Sequence, residues 1–196
     1  FHLLDCCITS EGGCAIVLTS AERAKDLRRT PVQILGAGID HMGRPHHNPP
    51  SWDLRSSEQG IPNGYVGRRA AQTAFRTAGM SPDDVDVCEF YDPFSFEIIR
   101  QVEAFGFCSD GEGGDYIMDG NLDYGGPHPV NTDGGLLSFS HAGGSVQGTQ
   151  RVVRAVQQLQ GICPTQQVEG AEVGLASYGG AGVFFTDVLL LGRGAR

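Results

Sequence analysis

The stretch Val85-Asp86-Val87-Cys88-Glu89-Phe90-Tyr91-Asp92-Pro93-Phe94 changes periodicity as it is read. Up to Tyr91 apolar residues alternate as they do along a strand, while Phe94, Ile98, Ile99, Val102 and Phe105 recur at helical spacing. Pro93 opens that helix, since the N–H it lacks would be unpaired in a first turn anyway. The junction therefore predicts a strand running into a helix with Tyr91 and Asp92 at the strand's end, where open α/β sheets bind ligands. The same residues admit a plainer reading, in which Asp92 caps the helix and Tyr91 only packs.

Upstream of this junction, Ser81-Pro82-Asp83-Asp84 reads as a turn or a short helix start. Tyr65 to Ala78 sets Ala70, Ala71, Ala74, Phe75 and Ala78 on one helical face, with Gly79 as its stop. Further back, Gly13 to Ser20 is a continuous apolar run that predicts a buried strand, followed by a short helix over Ala21 to Leu27 and a strand over Val32 to Ile39. His41 to Gly60 reads as a long loop. Downstream, residues 108 to 135 are dense in Gly, Asp, Asn and Pro, a loop long enough to carry function or cover a site. Ser145 to Gln160 predicts a helix with Val146, Thr149, Val152, Val153, Val156 and Leu159 on its buried stripe. Strands over Glu172 to Ser177 and Val183 to Leu191 close the chain. The order predicts an α/β layered domain with a mixed five-stranded sheet and helices on both faces.

Composition narrows the function. The 196 residues carry a formal charge of -9, which opposes binding to a phosphate backbone and makes nucleic acid an unexpected partner. No apolar run reaches the roughly 20 residues of a membrane-spanning helix, and the start has no signal-peptide pattern, so a cytoplasmic location is expected. Six cysteines without a CxxC pair read mostly as buried reduced thiols and not as a disulfide or metal framework. His41, His46 and His47 cluster in sequence, but in Pro-rich surroundings with no i, i+4 spacing, which argues against a metal site. Gly36-Ala37-Gly38 lacks the third glycine of a dinucleotide loop, and Gly143-Gly144-Ser145-Val146-Gln147 lacks the last glycine of a hydrolase elbow.

Two further stretches place polar groups at element ends. Asn131 to Gly144 (NTDGGLLSFSHAGG) is a glycine-rich turn that delivers His141, Gly143 and Gly144 to the start of a helix. There, free backbone N–H groups can receive an oxyanion and a neutral imidazole can move a proton near pH 7. Ser177-Tyr178-Gly179-Gly180-Ala181-Gly182 joins two apolar strands; its glycines allow close backbone approach, and a simple hairpin does not account for the tyrosine.

Taken in order, these three stretches resemble the C-terminal half of the thiolase superfamily, in the branch of sterol carrier protein x thiolases and bacterial lipid-transfer proteins. The resemblance runs from Leu4-Asp5-Cys6-Cys7-Ile8-Thr9-Ser10-Glu11-Gly12-Gly13-Cys14-Ala15, similar to that family's entry into its second half, to the last strand. Glu89 to Phe94 falls where the family has its His-Asp-Cys-Phe or Asn-Glu-Ala-Phe block, and Asn131 to Gly144 where it has its Gly-Gly…Gly-His-Pro block. The resemblance implies an α-β-α-β-α fold in the complete protein, with a nucleophilic cysteine in an N-terminal thiolase half. Residues 1–12 are then expected to be a linker from that half and residues 13–196 a thiolase-like C-terminal domain. It also implies an acyl-coenzyme A substrate, no further cofactor and a homodimer.

The departures point to a different reaction. Tyr91 stands where thiolases carry His or Asn, and Ala176-Ser177-Tyr178 stands where they carry a Cys or His base. With Claisen chemistry lacking its base, the chain looks like the thiolase-related aldolases of actinobacterial steroid side-chain degradation. These split a β-hydroxyacyl-coenzyme A into a ketone and a shorter acyl-coenzyme A, and work with an OB-fold, zinc-ribbon partner. The expected catalytic residues are Tyr91, Asp92, His141 and Tyr178, with Gly143, Gly144, Gly179 and Gly180 against the substrate. A tyrosine would act as base or acid and His141 would hold the enolate oxygen. A thiolase-like acyltransferase using an upstream cysteine, or a noncatalytic lipid-transfer or scaffold protein, are the alternatives.

Overall fold

The computed structural model describes residues 1–41, 66–142, 146–179 and 185–194. His46, His47, Gly143, Gly144 and Gly180 lie outside the described residues, as does the side chain of His41.

In chain order the elements are β1 (Thr9–Ser10), α1 (Ala21–Ala24), β2 (Val32–His41), α2 (Arg68–Ala78), β3 (Val87–Glu89), α3 (Phe96–Phe105), α4 (Gly113–Met118), α5 (Gly135–Ser138), β4 (His141–Ala142), α6 (Val146–Gln160), β5 (Val173–Gly179) and β6 (Phe185–Arg193). The main sheet has the order β2-β6-β5-β3. β6 pairs antiparallel with both β2 and β5, whereas β3 pairs parallel with β5 through Val87–Gly174, Cys88–Leu175 and Glu89–Ala176. The sheet is therefore mixed, as expected. A separate parallel ladder joins β1 to β4, Thr9 against His141 and Ser10 against Ala142.

Pleat alternation sorts the strand residues onto two faces. Cys88, Phe90, Leu175, Val188 and Leu190 pack with Ala70, Ala74, Phe75, Val102 and Phe105, under α2 and α3. Val87, Ala176 and Leu191 pack on the other face with Ala155 and Leu159 of α6. The small residues of α2 let it lie directly on β2: a Cβ at Gly36 or Gly38 would stand 2.1 Å from the carbonyl oxygen of Ala74 or Ala70. The outer edge of β3 is closed by residues 129–131, with Cys88 N–H donating to Pro129 O and Asn131 N–H to Cys88 O.

Five expectations are corrected. Gly13–Ser20 is no strand: its backbone joins no ladder among the described residues and Val17 and Leu18 are exposed, so apolar content alone did not make a strand without a partner edge. The main sheet consequently has four described strands where five were expected. The helix begins at Phe96, not Pro93, because the backbone before it pairs with the N-terminal segment: Cys7 N–H donates to Pro93 O, and Ser95 N–H to Asp5 O. Residues 108–135 are not one loop but contain α4 and the start of α5. The buried stripe of α6 is Gln147, Arg151, Arg154, Ala155, Gln158 and Leu159, so the helix is turned to bury polar groups in preference to its valines.

The close seating of α2 is testable. Gly38→Ala should destabilise by about 2–3 kcal/mol, the upper part of the overpacking range, because the obstacle is backbone and not a movable side chain. Gly114→Ala in α4, where a Cβ meets nothing within 4 Å, should be neutral or slightly stabilising. Chemical denaturation of the two variants beside wild type checks both.

Candidate functional site

The site grows from the C-terminal end of β3. Tyr91 follows that strand on the α6 face, and both of its backbone groups are clamped. Its N–H donates to Ser177 Oγ at 3.0 Å, Ser177 Oγ donates to Gln101 Oε1 at 2.5 Å, and Gln101 Nε2 returns to Tyr91 O at 2.7 Å. This closed ring joins the end of β3, the middle of β5 and α3, and it commits the Ser177 proton to Gln101. The Tyr91 phenol lies under α6, where Gln147 Nε2 donates to its oxygen at 3.3 Å. Burial, reinforced by Tyr178, pushes the Tyr91 pKa well above its ordinary value, so the phenol stays protonated at neutral pH.

Tyr178 reaches the same place from β5. Its ring meets that of Tyr91 edge to face at 5.2 Å and tilts against Phe185 at 5.7 Å. Gly148 of α6 supplies the room, since a Cβ there would stand 2.6 Å from Tyr178 Cγ. Across the ladder Tyr178 is paired with Asp187, whose carboxyl pKa is raised by burial and whose Oδ1 has no partner among the described residues. His141 arrives from β4, held by the β1 ladder and by the Ser10–Ser140 hydroxyl contact at 3.0 Å, with its ring 6.3 Å from that of Tyr91. Among the described residues neither ring nitrogen has a partner, and burial lowers its pKa, so it is a neutral imidazole with one N–H to offer.

Asp92 does neither thing expected of it locally. It caps no residue of α3 and makes no bond to the Tyr91 side chain. Instead Asp92 Oδ1 accepts the Leu136 N–H at 2.7 Å, pinning α5 from 44 residues away. The fit is tight: a Cβ at Gly135, which holds a left-handed φ of 66°, would lie 2.1 Å from Asp92 Oδ2. Burial pushes the Asp92 carboxyl up to about 6 against the opposing backbone donors.

Behind these groups runs a layer of buried charge. Arg151 is wholly enclosed; its Nη1 and Nη2 each donate to Asp133 at 2.9 Å, and Nη1 also donates to Glu89 Oε2 at 2.9 Å. Arg154 Nε adds a bond to Asp133 at 3.1 Å. Burial opposes ionisation of Asp133, but Arg151 and the Gly135 N–H outweigh it and hold the carboxyl below the usual range. For Glu89 burial wins over the attraction of Arg151 and pushes it up to about 8. At neutral pH Asp133 thus carries the counter-charge while Glu89 is largely protonated.

The structure brings Tyr91, His141 and Tyr178 together, places Asp92 one loop behind them, and puts Gly179 at the end of β5 opposite Thr186. Gln101, Gln147, Glu89, Asp133 and Arg151 were not foreseen. The available signal was polar residues at 147, 151, 154 and 158, an i, i+4, i+7, i+11 stripe as regular as the apolar one beside it. Against the expectation of mostly buried thiols, only Cys88 of the six cysteines is buried and Cys14 is exposed; burial pushes the Cys88 thiol well up and Cys108 up to about 11, which fits inert thiols at those two positions. Among the described residues no group of three or more His, Cys, Asp or Glu could hold a metal ion, and no helix is long and apolar enough to cross a membrane.

Comparison with known proteins gives a consistent picture. Residues 61–193 match the family described as thiolase C-terminal domain-like. A steroid side-chain-cleaving aldolase of Thermomonospora curvata is 39% identical over 166 residues, 84% of this chain and 40% of that protein. The 17-hydroxy-3-oxo-4-pregnene-20-carboxyl-CoA lyase of Mycobacterium tuberculosis is 36% identical over 171 residues, 86% of this chain and 42% of the relative. A solved structure described as an Ltp2-ChsH2(DUF35) aldolase superposes with a TM-score of 0.83 at 36% identity, covering 100% of this chain and 48% of that one. The chain thus spans less than half the length of each of these relatives.

The charge layer makes a pH-dependent prediction. In the full-length protein at pH 6, Asp133→Asn should cost about 3–5 kcal/mol by leaving Arg151 without its counter-ion, while Glu89→Gln, which mimics the protonated acid, should cost within about 1 kcal/mol. Because the folded pKa of Glu89 is raised, the native state holds a proton that the unfolded chain releases, and wild-type stability falls as pH rises from the ordinary carboxylate value toward about 8. Glu89→Gln should therefore gain on wild type between pH 5 and pH 9 in thermal melts.

Proposed function

The chain belongs to the thiolase C-terminal domain-like family, and from that premise we propose that it forms half of an acyl-coenzyme A carbon–carbon lyase. The reaction is retro-aldol cleavage of a β-hydroxyacyl-coenzyme A with a hydrophobic, steroid-like side chain, giving a ketone and a shorter acyl-coenzyme A. One observation carries the reading: two phenols and a neutral imidazole converge where a thiolase would need a thiol base, and the hydroxyl next to them, Ser177, accepts from the Tyr91 N–H and has its proton committed to Gln101.

The chemistry follows from the groups. The β-hydroxyl loses its proton to a base, the bond between the α and β carbons breaks, its electron pair moves onto the thioester as an enolate, and a proton returns to the α carbon. Tyr91, kept neutral by burial, is a donor to the enolate oxygen, and His141 with its unused N–H is the second. Tyr178, beside Tyr91 and less enclosed, is the residue that exchanges the proton. Asp92 acts through α5, by fixing the turn that leads to His141. Gly143, Gly144, Gly179 and Gly180 are the close-approach positions for the thioester.

No cofactor beyond the coenzyme A thioester enters this scheme. The complete enzyme is a cytoplasmic homodimer whose N-terminal thiolase half leads into residues 13–196 through residues 1–12, a linker whose Thr9 and Ser10 also pair with β4, and it works with an OB-fold, zinc-ribbon partner. Support for a partner comes from the similar solved structure, whose name joins Ltp2 to ChsH2(DUF35).

In the intact assembly, Tyr178→Phe should lower turnover by roughly 100-fold or more, and His141→Ala by about 10²- to 10³-fold through the lost oxyanion donor. Single-turnover release of the ketone from a β-hydroxyacyl-coenzyme A, with circular dichroism as folding control, measures this. Near wild-type cleavage by Tyr178→Phe, together with loss of activity on replacing an upstream cysteine, would establish the covalent thiolase mechanism in its place.

A further inference from the structure

Gln147 sits in the first turn of α6 with 7% of its surface exposed, and among the described residues its amide makes one hydrogen bond: Nε2 donates to the phenolic oxygen of Tyr91 at 3.3 Å. Oε1 of the same amide is buried and has no partner. A buried glutamine that leaves half its amide unsatisfied costs stability, and native structures keep such groups mainly where they have work to do. A packing role would be served better by leucine or methionine, and nothing else in the described structure holds the Tyr91 hydroxyl.

The direction of this bond matters. A phenol oxygen has one proton and two lone pairs. With a lone pair taken by the Gln147 N–H, the Tyr91 proton is not needed for an internal bond and is free to point at a ligand. A carboxylate or a lone carbonyl at position 147 would do the reverse, taking the Tyr91 proton and leaving an acceptor toward the substrate. The other clamp on Tyr91, through Gln101 and Ser177, grips the backbone and leaves this choice open.

We propose that Gln147 is a positioning residue that sets the polarity of Tyr91, committing its hydroxyl to donate to the thioester oxygen as the enolate forms. The proposal rests on the retro-aldol reading and adds to it which atom decides the role of the buried tyrosine. Gln147 itself exchanges no proton.

The test is a double-mutant cycle in the full-length enzyme with its partner, using a β-hydroxyacyl-coenzyme A and reading kcat and KM separately for ketone release. Gln147→Met, close in volume and without a donor, should lower kcat about 10-fold with KM changed by less than about 2-fold, the size expected for one net hydrogen bond acting in the transition state. Gln147→Glu, closer still in shape, should lose more than Gln147→Met, because its carboxylate captures the Tyr91 proton. In a Tyr91→Phe background Gln147→Met should have less than about 2-fold further effect. An undiminished effect of Gln147→Met in that background, or a Gln147→Glu enzyme as active as wild type, would overturn the proposal while leaving retro-aldol cleavage by the wild type intact. A wild-type enzyme that releases no ketone would remove both. Circular dichroism of each variant separates loss of fold from loss of function, and Gln147→Asn, which keeps the amide, should recover part of the Gln147→Met loss if the fold is unchanged.

Discussion

A guanidinium wholly out of water has to be neutralised on the spot, and Arg151 is such a group. Its partners come from different parts of the chain: Asp133, from the turn before α5, carries the counter-charge and also binds Arg154 of α6, while Glu89 of β3, largely protonated at neutral pH, accepts a hydrogen bond from Arg151. Meeting this requirement fixes α6 against the end of β3 and draws residues 131–135 over the strand's edge. The rest of the site is placed by short distances along the chain from these contacts. Tyr91 is two residues beyond Glu89 on the same face, Gln147 is one helical turn before Arg151, and α5, held by Asp92, leads to His141.

The same arrangement explains what could and could not be seen in the residues. The βα junction at Tyr91, the α2 face of alanines and the two last strands were legible because apolar periodicity and burial coincide in them. Gly13–Ser20 misled for the opposite reason: a strand is a property of a pair, and a largely apolar run without a neighbouring edge among the described residues carries no ladder. Tyr91, His141 and Tyr178 stood out as polar residues at element ends. Gln101, Gln147 and Arg151 did not, since a polar residue inside a helix ordinarily belongs to its wet side. In α6 the polar stripe is the buried one, and only tertiary contact with Glu89, Thr132 and Asp133 makes that favourable.

Gly148 shows how a local cost is carried for a distant need. Glycine within a helix weakens it by up to about 1 kcal/mol relative to alanine. The Tyr178 ring fills the space a methyl group would take, so the helix is thinned at the point where the two tyrosines meet.

The ladder between β1 and β4 bears on where this unit can be cut. His141 pairs with Thr9, and β2 forms one whole edge of the sheet by pairing with β6, yet both β1 and β2 lie before residue 61, where the family match begins. A recombinant piece trimmed to the matching region would expose the outer edge of β6, an invitation to edge-to-edge aggregation, and would free the short strand that carries His141. The boundary drawn by sequence similarity and the boundary of the cooperative folding unit therefore differ by some sixty residues, and domain exchange between relatives should follow the second.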